Sequence, residues 1–374
     1  MKRLSAYCSM ALLVLFSAFT HGGTAERPDD GVEWIVNPSF VRAYPFHEGL
    51  APVLKDGKML YINKAGQPVF DMKDAVILES NRGIISGATS RPLISERFCE
   101  GMVRFARDGK FGFMNRRGVA VIGPQYQDAT DFTDGLAAVR RDKLWGYIDS
   151  TGKSVFAFRF EKAYPFSQGL AVVQLNGRYG YIDRKGAMVI EPRFDDADGF
   201  ANDLANVKIG DKRGYIDMSG KMIIEPAFDV ARSFSEDIAC IKKAYRYSFI
   251  DKTGAVVLEV RAPLAGVEDF HDGLAAAKHL EKGSDGEYAI NTFIYGFINK
   301  SGNFAIAPMY QKVSDFSEGL AAVKRGGKFG YVDSKGTIVI DFIFDEALPS
   351  SEDFLCVCRK GLWGYIRNPL KHQK

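Results

Sequence analysis

The chain contains 374 residues with a formal net charge of +3, and its hydrophobic (46%) and charged (25%) fractions are ordinary. This length could hold two or three domains. The nearly neutral charge gives no electrostatic footprint for nucleic acid, so we expect no partner of that class.

The first residues, 1–25, read as a secretory signal peptide. Two basic residues precede an apolar run at 10–19, and small residues follow as far as Ala25. This order predicts export and cleavage after Ala25, hence a secreted or periplasmic protein with a mature charge of +1. The apolar run is half of the roughly twenty residues that a membrane-spanning helix needs, so we expect no membrane span after cleavage. An uncleaved anchor is the alternative.

The remaining chain, 26–374, is predicted to be one array of repeats. The phrase Phe-x-x-Gly-Leu-Ala, or a degenerate form of it, occurs nine times at successive gaps of 52, 34, 34, 34, 34, 36, 46 and 34 residues. The period is therefore 34 residues, and the repeats span roughly 40–367. The anchor positions are Gly49, Gly101, Gly135, Gly169, Asp203, Asp237, Gly273, Gly319 and Asp353.

Each period carries three short apolar phrases, which predict three antiparallel strands. The second phrase is "WGYID" at Trp145, and the third is "VIEPRF" at Val189. Asn176-Gly177 between the first two phrases is typical of a tight hairpin. "DSTG" between the second and third predicts a turn whose Asp accepts a backbone N–H two residues on. The connector, as in "YQDATDF", has apolar residues three apart and predicts a 3₁₀ or irregular turn.

Glycine recurs inside the second strand, as at Gly146, Gly180 and Gly214. Glycine in a strand costs about 0.5–1 kcal/mol relative to alanine, so its return requires a physical reason. We expect backbone or an aromatic ring of the next unit to pack directly against it.

On these phrases the chain resembles the WG repeat family, also called KWG repeats, which occurs in many bacterial proteins. The resemblance implies an all-β repeat array that serves as an interaction or surface module, with no catalytic residues. Propeller blades usually have four strands in about 40–45 residues, whereas this period of 34 indicates three. We therefore expect about nine three-stranded meanders in an open curved array; a closed propeller-like ring is the alternative.

Two insertions, 74–96 and 280–291, lengthen the period. Insertions in repeat arrays map to loops, often on the binding face, so these segments are candidates for partner contacts. The competing interpretation is that they are tolerated lengthenings, because extra loop costs little free energy.

Candidate chemistry is sparse. His47 and His271 occupy a slot that other units fill with serine, which indicates a solvent-facing turn. The recurring turn acids, such as Glu48, Asp134 and Glu318, are interpreted as solvated. No catalytic, cofactor-binding or metal-binding residue is predicted, and no cofactor. Four mature cysteines could form two disulfides or remain structural free thiols, and a metal site is disfavoured because Cys-Val-Cys is the wrong spacing for zinc. They are Cys99, Cys240, Cys356 and Cys358.

These patterns predict an exported, non-enzymatic scaffold that binds a protein partner. The alternative is a carbohydrate or cell-envelope binding module, because the aromatics of "WGYID" could stack on sugars if they were exposed. Buried aromatics would indicate a core role.

Overall fold

The computed structural model describes residues 32–72, 76–78, 93–260, 264–282 and 288–371. Glu33–Lys374 form one compact unit. Within these ranges the secondary structure is all β except for a 3₁₀ turn at Pro369–Lys371, and no helix is long and apolar enough to cross a bilayer. The predicted signal peptide, 1–25, lies outside the described residues and stays a prediction.

The described strands form nine sheets, here called blades 1 to 9 in chain order. Blade 1 contains β2 (Arg42–Ala43), β3 (Leu50–Lys55), β4 (Lys58–Asn63) and β5 (Pro68–Met72); blade 2 contains β6 (Val76–Leu78), β7 (Leu93–Ser95), β8 (Met102–Arg107), β9 (Lys110–Asn115) and β10 (Ala120–Tyr126); blade 3 contains β11 (Asp128–Ala129), β12 (Leu136–Arg141) and β13 (Leu144–Asp149). Blade 4 contains β14 (Lys162–Ser167), β15 (Leu170–Leu175), β16 (Arg178–Asp183) and β17 (Met188–Phe194); blade 5 contains β18 (Asp196–Ala197), β19 (Leu204–Ile209), β20 (Lys212–Asp217) and β21 (Met222–Phe228); blade 6 contains β22 (Val230–Ala231), β23 (Ile238–Lys243), β24 (Arg246–Asp251) and β25 (Val256–Glu259). Blade 7 contains β26 (Leu264–Val267), β27 (Leu274–Lys282), β28 (Tyr288–Asn299) and β29 (Phe304–Tyr310); blade 8 contains β30 (Lys312–Val313), β31 (Leu320–Arg325), β32 (Lys328–Asp333) and β33 (Ile338–Phe344); blade 9 contains β34 (Glu346–Ala347), β35 (Phe354–Arg359), β36 (Leu362–Arg367) and, from the start of the chain, β1 (Trp34–Phe40).

The nine blades close into a ring. β1 pairs antiparallel with β36, so the order in blade 9 is β34, β35, β36, β1. The Ser351 hydroxyl of blade 9 donates to the Phe46 carbonyl of blade 1 at 2.6 Å, just as Ser167 of blade 4 donates to Phe200 of blade 5 at 2.7 Å. The closed ring is therefore confirmed, and the expected open array is wrong.

Most blades have four strands, so the prediction of three is also wrong. The connector expected as a 3₁₀ turn forms a short first strand: in blade 5, Asp196 and Ala197 pair with Lys208 and Val207 of β19. Such a strand has only two paired residues, which is why its alternation is not visible in the sequence.

The first strands face the ring axis. Residues from three blades line one cavity of about 330 Å³: Gly266 from blade 7, Ser314 from blade 8 and Pro349 from blade 9. Each of the three lies in a first strand or within two residues of its end. In a ring, only the strands nearest the axis can bring blades that are not neighbours together. The first strands therefore lie at the axis, and the strand formed by the third phrase lies at the outer edge of each blade.

The predicted aspartate turns are confirmed. The Asp149 carboxylate accepts the N–H of Thr151 at 2.9 Å and of Lys153 at 3.1 Å. Gly152 closes the turn with its N–H on the Asp149 carbonyl and a φ of 85°. The Thr151 hydroxyl, followed by these backbone donors, lowers the pKa of Asp149.

Strand glycines such as Gly180 and Gly214 do lie against backbone, and Gly146 lies against the Phe158 ring, but in each case within their own blade rather than in the next unit. In blade 4, Tyr181 faces Ile190 and Tyr179 faces Phe194, so the outer strand bulges between them. The bulge crosses Gly180 so closely that a Cβ atom there would lie 2.5 Å from the Ile190 carbonyl oxygen and 2.8 Å from the Pro192 nitrogen. Proline suits this bulge because no ladder hydrogen bond is required of it.

The hydrophobic core lies between neighbouring blades, as expected for repeats that cannot bury both faces alone. One cluster joins Leu136 and Tyr147 of blade 3 to Phe166 and Val173 of blade 4. The buried Tyr147 hydroxyl also donates to the Tyr164 carbonyl in the first strand of blade 4 at 2.7 Å. Equivalent bonds recur around the ring, including Tyr365 of blade 9 to Tyr44 of blade 1 at 2.7 Å.

The two insertions occupy different places. Within 74–96, β6 pairs in parallel with β7 on the axis side of blade 2. The second insertion, 280–291, lengthens the hairpin of β27 and β28 to nine and twelve residues, where the equivalent strands of blades 5 and 8 have six. Residues 79–92 and 283–287 lie outside the description, so the choice between partner contact and tolerated lengthening stays open.

Candidate interaction surface

The register of the strands gives the ring two distinct faces. In blade 5, Asp196 lies opposite Lys208 near the β19–β20 hairpin, and Leu204 lies opposite Asp217 at the other end. The hairpin face therefore carries the tips between second and third strands, together with the corners between blades. The turn face carries the turns between first and second strands and those between third and outer strands.

On the turn face, the recurring acids connect neighbouring blades. The Glu48 carboxylate accepts the N–H of Gly101 at 2.8 Å, and Asp134 accepts the N–H of Gly169 at 3.0 Å. Each such acid or amide has a φ near 50° and the next residue also has a positive φ, including the aspartates that replace glycine at 203, 237 and 353. The interpretation of these acids as merely solvated is wrong, because they accept hydrogen bonds across the blade boundaries.

Glu352 closes this series between blades 9 and 1. Its carboxylate accepts the Gly49 N–H at 2.8 Å and pairs with the Lys64 ammonium at 3.1 Å. Burial opposes the charged form, but these donors outweigh it and lower the pKa of Glu352. These contacts therefore favour the ionised form of Glu352 at neutral pH.

Glu352→Ala is expected to lower the free energy of unfolding by about 1 kcal/mol at pH 7, because the Gly49 N–H loses its acceptor. The pKa in the folded protein lies below the usual 4.5, so this stabilisation is complete above that pH and is lost as the pH falls through the folded value. Urea unfolding at pH 7 and pH 3 measures both effects. Glu225→Ala, at an exposed outer-strand residue, should change nothing at either pH. A Glu352→Ala loss that is the same at both pH values would contradict this role.

Charge differs between the two faces. The described hairpin tips contain fourteen basic and four acidic residues. These tips are 55–58, 107–110, 141–144, 175–178, 209–212, 243–246, 325–328 and 359–362. The turn face contains fifteen acidic and eight basic residues at its turn positions. The turns between first and second strands are 48–49, 100–101, 134–135, 168–169, 202–203, 236–237, 272–273, 318–319 and 352–353. The turns between third and outer strands are 63–66, 115–118, 149–152, 183–186, 217–220, 251–254, 299–302 and 333–336. The small net charge of the chain therefore hides a basic hairpin face and an acidic turn face.

Two further cavities adjoin the hairpin face and the axis. One of about 540 Å³ lies between blades 5 and 6 and is lined by Lys212, Asp229, Lys242, Lys243 and Tyr245, among others. The other, of about 710 Å³, joins the first strands of blades 9 and 1 and includes Glu96 of blade 2, His47 and Trp363.

The two histidines differ from each other. His271 is exposed, as predicted, with its Nε2 4.0 Å from the Asp315 carboxylate. His47 is half-buried in the larger cavity, where burial and then Arg97 lower its pKa. In the described part of the chain, no three His, Cys, Asp or Glu side chains are placed to hold one metal ion.

The four mature cysteines are free thiols in the structure. Cys356 and Cys358 are two residues apart along β35, so their side chains lie on the same face of the sheet, and both are free. Burial raises the pKa of Cys240 to about 11, so this thiol is protonated at neutral pH.

The tyrosines of the second phrase are buried. Tyr147, Tyr181, Tyr215, Tyr331 and Tyr365 are all fully inaccessible to solvent. They fill the space between blades and cannot stack on a sugar, whereas Trp145 and Trp363 of the same phrase are half-buried.

A closed ring of nine small antiparallel sheets with first strands at the axis is a nine-bladed β-propeller. The chain belongs to the WG-repeat family: a sequence profile of the WG-containing repeat matches segments that cover more than half of it. The matched residues are 33–58, 111–145, 145–179, 179–212, 214–247, 295–329 and 329–363.

Solved structures with similar folds share little sequence. A eukaryotic initiation factor is 10% identical with a TM-score of 0.54, covering 89% of this chain and 92% of its own. The dihydro-heme d1 dehydrogenase NirN is 15% identical with a TM-score of 0.46, covering 81% and 74%. The WD40 domain of SCAP from fission yeast is 9% identical with a TM-score of 0.39, covering 90% and 96%. Such identities show the fold alone, and a search of curated proteins gave no significant match.

Proposed function

We propose that this protein is an exported, non-enzymatic scaffold that binds a protein partner through one face of its propeller. The observation that carries the proposal is that each repeat separates recurring buried residues from variable exposed ones. Recurring residues, such as Tyr181 and Gly180, are buried at the contacts between and within blades. Residues that differ between copies, such as those of the hairpin tips, are exposed. A rigid ring with a variable face is suited to recognition, because little conformational entropy is lost on binding.

Cross-linking of the mature chain, 26–374, in its own envelope and medium tests this function. We expect recurrent cross-links from the exposed lysines of the hairpin tips, such as Lys58 and Lys110, to one protein species. Lysines of the turn face, such as Lys185 and Lys335, provide the matched comparison within the same molecule. Salt-resistant retention on purified cell wall that soluble glycan displaces would instead support the carbohydrate alternative.

Export is tested separately by determining the N-terminus of the protein that accumulates outside the cytoplasm. We expect it to begin at residue 26. A protein that remains cytoplasmic with residues 1–25 intact would contradict export while leaving the scaffold function untouched.

A further inference from the structure

One hairpin tip departs from the others in its backbone chemistry. In blade 6, Ala244 and Tyr245 occupy the two turn positions with φ values of 46° and 68°. A side chain in this left-handed region costs roughly 1–2 kcal/mol unless it is glycine, and asparagine or aspartate tolerates it best. Blade 4 uses Asn176-Gly177 at the same positions. Blade 6 therefore keeps two unfavourable residues in its turn.

The strained turn presents an aromatic ring to solvent. Tyr245 is 91% exposed, whereas the recurring tyrosines of the repeat are buried. Retained backbone strain is a feature of functional sites, and exposed tyrosine is a residue on which binding energy concentrates. Glycine at this position would relieve the backbone strain and would remove only the exposed ring beside the Lys242 ammonium.

The surroundings of Tyr245 are basic. Its neighbours in the 540 Å³ cavity include Lys212, Lys242 and Lys243, and Arg246 follows it in the exposed tip. The carboxylate in this cavity, Asp229, is already engaged: it accepts the Ala244 N–H at 2.9 Å and pairs with the Lys212 ammonium. The Lys212 hydrogen bond also lowers the pKa of Asp229, so the acid stays ionised and holds the turn in place.

We propose that the blade 6 site, formed by Lys242, Lys243, Tyr245 and Arg246, binds an acidic segment of the protein partner. The proposal rests on the scaffold function and names its contact point. Carboxylates of the segment pair with the lysines and Arg246, while the Tyr245 ring packs on an adjoining apolar or aromatic side chain. Charge complementarity and an aromatic anchor beside a cavity are the features that such a contact requires.

A protein segment fits this surface better than a nucleic acid strand. Only the Tyr245 ring of this site is exposed, since the neighbouring Tyr247 is half-buried, so the site offers no row of rings on which successive bases could stack. The tips of blades 1, 2, 3 and 5 also expose Asp56, Asp108, Asp142 and Asp211, which repel an extended phosphate backbone.

Fluorescence anisotropy with the mature chain and a labelled twelve-residue peptide of glutamates interrupted by tyrosines tests the site. The matched peptide has glutamine in place of every glutamate. We expect binding of the acidic peptide with a Kd below about 100 µM at low salt, weakening as salt rises, and at least tenfold weaker binding of the glutamine peptide.

Tyr245→Gly separates binding from folding. Because it removes backbone strain, it should raise the midpoint of thermal unfolding by about 1–3 °C while weakening peptide binding at least fivefold. Lys143→Gly is the matched control, since Lys143 holds the same turn position in blade 3 with a φ of 72°. It should give a similar rise in the midpoint and leave binding within twofold. Lys242→Glu combined with Lys243→Glu should weaken binding at least tenfold.

Three results would overturn the site: equal binding of both peptides, unchanged binding by Tyr245→Gly, or tighter binding of single-stranded oligothymidine than of the acidic peptide. Cross-links from other hairpin tips with none from Lys243 of blade 6 would reject this site but retain the scaffold function. Absence of any cross-linked protein would reject the scaffold function itself.

Discussion

Gly180→Val is expected to lower the free energy of unfolding by more than about 3 kcal/mol, enough to fray or unfold the propeller. The first atom added to Gly180 would already lie 2.5 Å from the Ile190 carbonyl oxygen, and the neighbouring atoms are backbone. Backbone cannot rotate out of the way as a side chain can, so the outer strand of blade 4 would have to separate from the third strand. Thermal and urea unfolding of the mature chain measure the effect.

Gly123→Ala is the matched control for this prediction. It lies in the outer strand of blade 2, where no heavy atom stands within 4 Å of the Cβ that alanine would add. We expect its unfolding midpoint to match that of the parent chain. Equal midpoints for Gly180→Val and the parent would show that the close approach in blade 4 does not exist.

Deleting β1 is expected to have the second large effect. A chain that begins at residue 41 lacks the outer strand of blade 9, and with it the buried Phe40 and the backbone that covers Gly364. Loss of a buried phenylalanine alone costs about 3–5 kcal/mol, so we expect the midpoint of thermal unfolding to fall by more than about 10 °C. The unpaired edge of β36 should also promote self-association, which size-exclusion chromatography with light scattering detects.

A chain that begins at Glu33 keeps β1 and serves as the control. It should unfold at the same temperature as the mature chain and remain a single species. A monomeric chain lacking residues up to 40 with an unchanged midpoint would contradict closure of the ring by β1.

Local features of the fold could be predicted from the sequence, and contacts between distant residues largely could not. The hairpin at Asn176-Gly177 and the aspartate turn at Asp149 depend on residues within five positions of each other. The short first strands were missed because two paired residues show no alternation. The acceptor role of Glu48 was missed because it depends on how neighbouring blades are placed, with Gly101 fifty-three residues away.

Ring closure did leave a signal in the sequence. The segment "WIVNPSF" at Trp34–Phe40 has the same order of apolar residues, proline and phenylalanine as "MVIEPRF" at Met188–Phe194. It is a third phrase with no first or second phrase before it, and the last repeat ends after "WGYIR" without a third phrase. An outer strand without a blade near the start, together with a blade that lacks an outer strand near the end, indicates that the ring is closed. The strained tip at Ala244-Tyr245 had no such signal, because positive φ values there are visible only in the structure.

Because blade 9 is shared between the two ends of the chain, its assembly must come late in biogenesis. Trp34 pairs with Ile366, so β1 has no partner until the ribosome has synthesised β36. Blades 1 to 8 can pair their strands in order as they emerge, but the ring remains open between β1 and β36. During that interval the nascent propeller exposes the unpaired edges of β1 and β36. A chaperone or an unfinished second molecule could occupy either edge before the two strands pair.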